Sequence, residues 1–236
     1  AGKKKGLEMG GNAAAVVDEG VDLGRVVPRL VVGSYAYAGQ ICIKVQRIYV
    51  HQDRFREFSR RFVDEVKHRL PTGDPLDDKT ICGPLISDSE AERVEAWVDE
   101  AVAGGAKLLC GGRRRGTLYE PTVLTDVAPE MKVSCREVFG PVTVLAPFSD
   151  FEDALREVNR SEYGLQAGVF TRSLDHAFQA FDALEVGGVI INDYPTFRID
   201  HMPYGGVKNS GFGREGIRYA LEEMTELRLL VLNRDV

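Results

Sequence analysis

The sequence predicts an α/β fold in which helices flank a mostly parallel sheet. Two observations carry this prediction. Short apolar segments of strand length alternate with longer segments whose apolar residues recur at helical spacing, and Ser-x-x-Glu capping boxes precede two of the longer segments. Strands that alternate with helices are typical of βαβ units, whose helices cover the faces of a parallel sheet. Across 236 residues there is no internal repeat and no low-complexity linker, so the sequence predicts one domain.

The first half of the chain contains two pairs of strand and helix. Residues 13–17 are a short apolar run, and residues 22–38 have helical spacing, with Pro28 expected in an early turn or at a kink. Residues 45–50 then have the composition of a strand. Phenylalanine and aliphatic side chains recur on one face of a helix predicted over residues 52–69.

The second half continues the alternation. A capping box that starts at Ser87 opens a helix closed by Gly104 and Gly105, and a second box that starts at Ser149 opens a helix to about Arg160. The remaining predicted elements are a strand near residues 166–170, a helix near 173–184, a strand over 188–192 and a strand-like apolar segment at 227–232. That last segment would pair within the fold or offer its edge to a partner.

Composition argues against several functional classes. The 30 basic and 36 acidic side chains give a net charge of −6, which offers no electrostatic basis for binding nucleic acid or an anionic membrane. No apolar run reaches the ~18 residues of a membrane-spanning helix, and no signal peptide is recognisable. The four cysteines, at positions 42, 82, 110 and 135, lack the paired spacing of zinc sites. We therefore predict no metal site, and reduced thiols in a cytoplasmic protein.

A glycine pattern near the end of the chain needs separate treatment. Gly211, Gly213 and Gly216 match the G-x-G-x-x-G pattern of dinucleotide-binding folds. That pattern functions only directly after a strand, and it needs an acidic residue about 20 positions later on the next strand. Here a loop precedes the pattern, and 20 residues remain after Gly216. We therefore predict a glycine-rich loop that enters the final helix.

Three residues could carry chemistry, although each has a simpler explanation. Cys42 lies near Lys44 and Arg47, whose charges would lower the pKa of its thiol, but a cysteine between two isoleucines is more often a small buried side chain. Glu8 precedes a glycine pair that allows close backbone approach, yet a lone glutamate near a terminus is usually solvated. Glu137 precedes a Gly-Pro turn, where a surface charge or a structural ion pair is the default role.

Four motifs taken together resemble those of the aldehyde dehydrogenase superfamily. Leu7-Glu-Met-Gly-Gly11 is similar to the family's Glu-Leu-Gly-Gly motif, and Gly39-Gln-Ile-Cys42 resembles its Gly-Gln-x-Cys nucleophile signature. Glu137-Val-Phe-Gly-Pro141 resembles its Glu-x-Phe-Gly-Pro cofactor motif. Pro203-Tyr-Gly-Gly-Val-Lys-Asn-Ser-Gly211 resembles its Pro-Phe-Gly-Gly-x-Lys-x-Ser-Gly loop. Order and spacing both match, and the resemblance extends from Ala1 to about Asn233.

The resemblance implies the family's chemistry for two residues. Cys42 would attack an aldehyde carbonyl to form a thiohemiacetal, whose hydride passes to a nicotinamide and leaves a thioester. Glu8 would activate the water that hydrolyses the thioester to a carboxylic acid. The backbone N–H of Cys42 would be one oxyanion donor. Because Glu8 is present, the resemblance favours hydrolysis over acyl transfer to coenzyme A.

The resemblance also implies the surroundings of cofactor and substrate. The cofactor would be NAD or NADP, with Glu137 bound to the nicotinamide ribose and Phe139 near the ring. Met9 and Gly10 would line the nicotinamide pocket. The side chains expected next to the substrate are Ile41, Ile43 and Phe197.

The substrate is expected to be a small-molecule aldehyde, closest to those of the branch that handles lactaldehyde and glyceraldehyde-like compounds. Arg198 and His201 could favour a polar or anionic aldehyde. The interpretation we favour for Arg198 is instead a structural ion pair with Asp193 or Asp200.

The resemblance implies an organisation for the chain as well. Residues 1–224 would form the catalytic domain, and residues 225–236 a strand at the subunit interface of a homo-oligomer, either a dimer or a tetramer. The family's cofactor-binding domain comes mainly before the glutamate motif, whereas this sequence starts seven residues before Glu8. We therefore expect that domain to be absent, and the chain alone neither to bind NAD usefully nor to oxidise aldehydes.

Two alternative functions stay open. The chain could act chiefly as an oligomerisation or interaction module through its C-terminal segment. It could also be a cofactor-independent thiol esterase that uses Cys42 and Glu8, because hydrolysis of an acyl-enzyme needs no hydride transfer.

Overall fold

The structure is a computed structural model that describes residues 5–234. The outer bounds of the predicted domain and interface strand, residues 1–4 and 235–236, lie outside the described residues. The strands are β1 (Leu7–Glu8), β2 (Ala13–Val17), β3 (Val45–His51), β4 (Lys107–Cys110), β5 (Arg114–Arg115), β6 (Leu118–Tyr119), β7 (Thr122–Thr125), β8 (Val142–Phe148), β9 (Tyr163–Gly164), β10 (Gln166–Phe170), β11 (Gly188–Ile191), β12 (Val207–Lys208) and β13 (Gly211–Phe212). The helices are α1 (Leu23–Tyr35), α2 (Gln52–Arg69), α3 (Asp88–Ala103), α4 (Lys132–Cys135), α5 (Phe151–Asn159), α6 (Leu174–Ala183) and α7 (Ile217–Met224), and a 3-10 turn, Ala36–Gly39, follows α1.

A seven-stranded sheet with the order β11-β10-β2-β3-β8-β7-β4 forms the centre of the fold. Neighbouring strands are parallel except for β4 and β7. Helices α1, α2 and α3 contribute to the core on one face of the sheet, and α5 and α6 to the core on the other face. The predicted fold class, a mostly parallel sheet flanked by helices, is confirmed.

Strand β2 shows why the sequence folds this way. All five of its residues are buried, as expected for a central parallel strand that is covered on both faces. Its side chains alternate between the two cores. Ala15 and Val17 pack with the α1, α2 and α3 side, and Ala14 and Val16 with the α5 and α6 side. The apolar run at residues 13–17 is therefore explained by a strand whose alternate side chains enter two different cores.

The first predicted helix ends earlier than its periodicity suggests. Helix α1 stops at Tyr35, whereas the apolar spacing predicted a helix over residues 22–38. Tyr37 and Ala38 adopt left-handed backbone conformations, with φ of 54° and 57°. These residues turn the chain out of the helix and toward the loop that contains Cys42. Pro28 lies inside α1, consistent with the expectation for an early turn.

Two expectations for the middle of the chain need correction. Asp150, not Ser149, caps α5, because its Oδ1 accepts a hydrogen bond of 3.0 Å from the backbone N–H of Asp153. Strands β4, β7 and β8 were not predicted, although β8 lies next to β3 in the centre of the sheet. Strands of four residues are too short to produce a clear alternation, and β8 is buried over its first four residues, so it shows little period-two contrast.

Within the part of the chain that the structure describes, the predicted C-terminal segment pairs with no strand. Residues 225–234 have no regular secondary structure, and the apolar side chains from Leu227 to Leu232 are exposed. A segment that pairs only with a partner subunit would show no strand in a single chain, so the interface role stays a prediction. No helix among residues 5–234 is long and apolar enough to cross a membrane.

Candidate active site

Three of the predicted motifs lie at the amino ends of neighbouring strands in the central sheet. Residues 8–11 come just before β2, Cys42 just before β3 and Glu137 just before β8. These three strands are parallel neighbours, so their amino ends lie side by side. The topology therefore brings together three motifs that are far apart in the sequence.

The glycine pair after Glu8 allows this convergence. The backbone N–H of Gly11 donates a hydrogen bond of 2.7 Å to Oε1 of Glu137. A Cβ on Gly11 would lie 2.0 Å from the carbonyl oxygen of Cys42, and a Cβ on Gly10 would lie 2.5 Å from Oε2 of Glu137. A side chain at Gly11 would displace the backbone of the Cys42 loop, and one at Gly10 would displace the carboxylate of Glu137.

The Pro203–Gly211 loop fixes the segment that carries Glu8. Residue Glu8 pairs with Gly211 between the antiparallel strands β1 and β13. The backbone N–H of Met9 donates to the carbonyl of Ser210 (3.2 Å), and Ser210 Oγ donates to the carbonyl of Gly10 (2.8 Å). Ser210 is fully buried. All four motifs therefore form one connected unit.

Cys42 lies half-buried in the loop before β3, and its Sγ is 3.2 Å from the hydroxyl oxygen of Tyr204. Burial raises the pKa of this thiol, the hydrogen bond with Tyr204 opposes the rise, and the charges of Glu8 and Glu137 add to it. The expectation that Lys44 and Arg47 would lower this pKa is wrong, and the reason lies in where their side chains go.

Both cations are used elsewhere in the fold. The guanidinium of Arg47 donates to Asn12 Oδ1 at 3.1 Å and to the carbonyl of Glu157 at 3.0 Å. The Lys44 amino group is buried and donates to the carbonyl of Val142. Burial lowers the pKa of Lys44 to about 7, against the opposing effect of Glu137.

Glu8 lies beside a second carboxylate that sequence reasoning missed. Partial burial of its carboxylate raises the pKa of Glu8, the negative charge of Glu215 and a hydrogen bond with it raise the pKa further, and Arg198 lowers it. Glu215 forms an ion pair of 2.6 Å with Arg198. No local pattern signals this contact, because it depends on how the loop that carries Glu215 packs beside Glu8 and Arg198.

Arg198 does not pair with Asp193 or Asp200 as we favoured. Asp193 binds Arg29 through two hydrogen bonds of 2.7 and 2.6 Å. The guanidinium carbon of Arg198 instead lies 4.0 Å from the centroid of the Tyr204 ring, and the side chain pairs with Glu215. Arg198 therefore belongs to the candidate site rather than to a distant structural contact.

A cleft of about 690 Å³ opens next to these residues. Glu8, Arg198, Tyr204, Glu215 and Phe212 are among the side chains that line it. Cys42 itself does not line this cleft, but its sulfur contacts Tyr204, which does. The cleft can therefore place a small molecule beside the acid pair, one side chain away from the thiol.

Glu137, implied for the cofactor, also lies close enough to Cys42 for its charge to act on the thiol. Burial raises the pKa of Glu137, while the hydrogen bond from Gly11 and the charges of Lys44 and Arg93 lower it. Phe139 has a left-handed backbone with φ of 47°, and its ring is 39 % exposed. Met9 is likewise exposed.

The three side chains implied for the substrate differ in accessibility. Ile43 is buried with Leu165 and Tyr204 in a small apolar cluster, and Ile41 packs against that cluster. Phe197 is partly exposed, as is the neighbouring region of His201. Phe197 and Ile41 are therefore accessible to solvent, whereas Ile43 is buried and packs in the same cluster as Tyr204.

The residues of the G-x-G-x-x-G pattern lead into the final helix, as the sequence predicts. Gly211 and Phe212 form β13, which pairs with β1, and Gly216 precedes α7. Gly213 and Gly216 have φ of 86° and 110°, which glycine adopts without strain. The pattern is a glycine-rich loop that enters the final helix.

One group of possible metal ligands lies outside this site. Within residues 5–234, one group of three possible ligands has its ligand atoms within 4.8 Å of one another, namely Glu19, His51 and Asp53. Two of the three side chains are exposed, and such groups are common without a metal, so we assign no metal site there.

Comparison with known proteins identifies relatives along the whole chain. The family model described as "Aldehyde dehydrogenase family" matches residues 1–230. A 3-sulfolactaldehyde dehydrogenase of Priestia megaterium is 48% identical over 231 residues, which cover 98% of this chain and 48% of that protein. A lactaldehyde dehydrogenase of Methanococcus aeolicus is 41% identical over 231 residues, with 98% and 49% covered. The chain thus spans about half the length of the curated relatives it matches.

Solved structures agree with this fold. Aldehyde dehydrogenase 21 of Physcomitrella patens, in complex with the reaction product succinate, superposes with a TM-score of 0.95 at 48% identity, covering 98% of this chain and 48% of that one. The glyceraldehyde-3-phosphate dehydrogenase GapN of Methanocaldococcus jannaschii, complexed with NADP, superposes with a TM-score of 0.89 at 43% identity, covering 93% and 47%. The relatives are consistent with the lactaldehyde and glyceraldehyde branch.

Proposed function

The chain belongs to the aldehyde dehydrogenase family, and from this premise we propose that it carries the thiol and acid residues of an enzyme that oxidises an aldehyde to a carboxylic acid. The observation that supports this most strongly is the meeting of Glu8, Cys42 and Glu137 at one sheet edge, where Gly11 contacts both of the latter. Because the chain covers about half of its relatives, the complete activity is a proposal for the longer protein.

The chemistry assigns one role to each of two side chains. Cys42 Sγ forms a bond to the aldehyde carbon, and its own backbone N–H stabilises the oxyanion of the thiohemiacetal. A nicotinamide cofactor, when bound, would supply the acceptor for the hydride that leaves the thiohemiacetal carbon, and a thioester to Cys42 would remain. Glu8 then takes a proton from water, the hydroxide adds to the thioester carbon, and the carbon–sulfur bond breaks to release the acid. The raised pKa of Glu8 suits a base that must both accept and release a proton.

The residues present suit the nicotinamide end of NAD or NADP. Glu137 has one carboxylate oxygen held by Gly11, which fixes the other for hydroxyl groups of a ribose. A side chain at Gly10 would displace that second oxygen, so the glycine allows the carboxylate its present position. Phe139 and Met9 are exposed and could contact a ring. One structural relative was solved with NADP and another, from Mycobacterium tuberculosis, with NAD+, which supports either NAD or NADP as the cofactor of the longer protein.

For the substrate we propose a short aldehyde that carries an anionic or polar group. Arg198 lies in the cleft with Glu8, where its guanidinium is close enough to bind a carboxylate or sulfonate in exchange for Glu215. Relatives are named for 3-sulfolactaldehyde and lactaldehyde, and a structural relative was solved with succinate.

A fusion protein would test the function directly. This chain would replace the matching half of the Priestia megaterium enzyme, and reduction of NAD or NADP would be followed with 3-sulfolactaldehyde, lactaldehyde and uncharged propanal. We expect oxidation that Cys42→Ser abolishes, by about 10³-fold or more. Cys135→Ser, which alters a thiol outside the site, should leave the rate unchanged. A fusion that binds cofactor but oxidises none of the aldehydes would contradict the proposal.

The same fusion tests the substrate class. Arg198→Gln should raise KM for the two anionic or polar aldehydes and leave KM for propanal nearly unchanged. An equal loss for all three substrates would show that Arg198 serves the structure and not recognition.

A second function has an observation of its own. The apolar side chains from Leu227 to Leu232 are exposed in the single chain, and apolar surface of this kind marks interaction sites. We propose that this segment also joins copies of the chain into a homo-oligomer, a dimer or a tetramer.

A further inference from the structure

Tyr204 places a phenolic hydroxyl against the sulfur of Cys42, at a position where the resembled motif has phenylalanine. Its oxygen lies 3.2 Å from Sγ, within hydrogen-bonding distance for sulfur. We propose that Tyr204 is a positioning residue for Cys42, whose hydroxyl donates a hydrogen bond that orients the sulfur and favours its ionised form. The inference rests on the proposed function in that it takes Cys42 as the reacting thiol.

The hydroxyl has little freedom to move. Tyr204 is 2 % exposed and packs against Ile43 and Leu165. Its backbone exchanges two hydrogen bonds with Glu215, from Tyr204 N–H to Glu215 carbonyl at 3.1 Å and in the reverse direction at 2.6 Å. Ring and backbone are therefore both fixed, and the hydroxyl is preorganised toward Cys42.

The charges around the sulfur explain why such a donor is needed. Glu8 and Glu137 both lie near the thiol, and their negative charges disfavour a thiolate, as burial does. The Tyr204 hydroxyl is the side-chain group that acts in the other direction. A hydrogen bond to an ionised acceptor is about twice as strong as a neutral one, so this contact strengthens when Cys42 loses its proton.

Arg198 completes the arrangement. Its guanidinium carbon lies 4.0 Å from the centroid of the Tyr204 ring, and the ion pair with Glu215 holds it there. Burial and the contact with Cys42 raise the pKa of Tyr204, so the phenol keeps its proton, and the positive charge of Arg198 lowers that pKa and so strengthens the O–H as a donor. Glu8, Glu137, Glu215 and Arg198 are the other charged groups that influence this site, and Tyr204 is the side chain among them whose hydroxyl lies within hydrogen-bonding distance of the sulfur.

The test compares Tyr204→Phe with the unaltered chain. Each protein is treated briefly with iodoacetamide over a range of pH, and labelling of the four cysteines is quantified by peptide mapping. Without the hydroxyl, the midpoint for Cys42 labelling should move to higher pH, and labelling at pH 8 should slow by about tenfold. At pH values above both midpoints, the two rates should converge.

Controls separate this role from a structural one. Tyr37→Phe removes a hydroxyl from a side chain that is 77 % exposed and should change nothing. Cys135 is the internal reference, and slow labelling of the buried Cys82 and Cys110 verifies the fold in each sample. If Tyr204 only supported packing, its replacement would loosen the site and speed the labelling of Cys42.

Three outcomes would overturn the proposal: an unchanged midpoint, faster labelling of Cys42, or an equal change at Cys135. Arg198→Gln provides a second variant, for which we expect a smaller shift in the same direction, and a shift the opposite way would also count against the proposal. The assay needs no cofactor. An inactive fusion protein would contradict the proposed function while the labelling shift still supported the role of Tyr204.

Discussion

At the scale of single residues, Lys44 has an unusual environment for a lysine, because its side chain is buried. Its amino group is buried beside Glu137, with a pKa lowered to about 7 from the usual 10.5. In the unfolded chain the amino group keeps its proton up to about pH 10.5, so the unfolded state binds more protons between about pH 7 and 10.5. Lys44 therefore lowers the free energy of unfolding by its full amount below about pH 7, and this destabilisation decreases as the pH rises toward about 10.5.

This argument predicts the behaviour of Lys44→Met. The variant should be more stable than the unaltered chain by several kcal/mol near pH 6.5, and the difference should shrink as the pH approaches 10. Urea unfolding at several pH values measures it, with the exposed Lys79→Met as the matched control. A difference that does not depend on pH would show that the amino group is not neutralised by burial.

The close approach of Gly11 to the Cys42 backbone predicts the effect of a substitution at this glycine. A Cβ at this position would lie 2.0 Å from the backbone carbonyl oxygen of Cys42, so Gly11→Ala must displace the Cys42 loop. We expect a loss of about 1–3 kcal/mol in the free energy of unfolding and a changed labelling rate of Cys42. Gly83→Ala is the control, since its Cβ would meet Pro75 at an ordinary 3.7 Å. Equal effects of the two substitutions would contradict the close approach.

Motifs made some of these residues predictable, and others could not be found that way. Cys42, Glu8 and Glu137 stand in short patterns whose order is specific, and the structure brings them to one edge. Glu215 and the burial of Lys44 depend on which side chains meet across the fold, which no local pattern contains. The same reason explains the wrong partner for Arg198: several acids lie close in sequence, but the nearest in space comes from another loop.

At the scale of elements, long periodic helices and buried central strands were the predictable part. Helices α2, α3 and α6 and strands β2, β3 and β10 follow from spacing and caps. Short strands such as β4 and β7 are set by their neighbours in the sheet, and so their own sequence does not predict them. Element ends also depend on single contacts, as the shift of the α5 cap from Ser149 to Asp150 shows.

That shift can be tested. Asp150→Ala removes the acceptor for the backbone N–H of Asp153 and should cost about 1 kcal/mol in the free energy of unfolding. Ser149→Ala should cost nearly nothing, because its side chain caps no helix. Urea unfolding of both variants measures the two costs. An equal or greater cost at Ser149 would show that Ser149 caps α5.

At the scale of the whole molecule, the candidate site lies on the amino side of the sheet and the described chain provides one wall of it. Glu8, Tyr204 and Arg198 line one cleft, Cys42 contacts Tyr204, and Met9 and Phe139 are exposed. The chain spans about half the length of its relatives, and we expect the other half of the longer protein to supply the remaining groups that hold a cofactor. We therefore predict that calorimetric titration of this chain alone detects no micromolar affinity for NAD or NADP. Micromolar binding would show that the matched half suffices.

The terminal segment carries the last prediction. Leu229 is 87 % exposed, and its apolar neighbours from Leu227 to Leu232 have no cover within the described chain. Since burial of such side chains against a second copy is favourable by about 1.5–3 kcal/mol each, the chain should form a dimer or tetramer in solution. Size-exclusion chromatography with light scattering should show a lower mass after deletion of residues 226–236. Leu229→Lys should weaken the assembly, whereas Leu76→Lys, an equally exposed leucine outside the segment, should not. A monomeric full chain, or an oligomer that survives the deletion, would assign the segment no interface role.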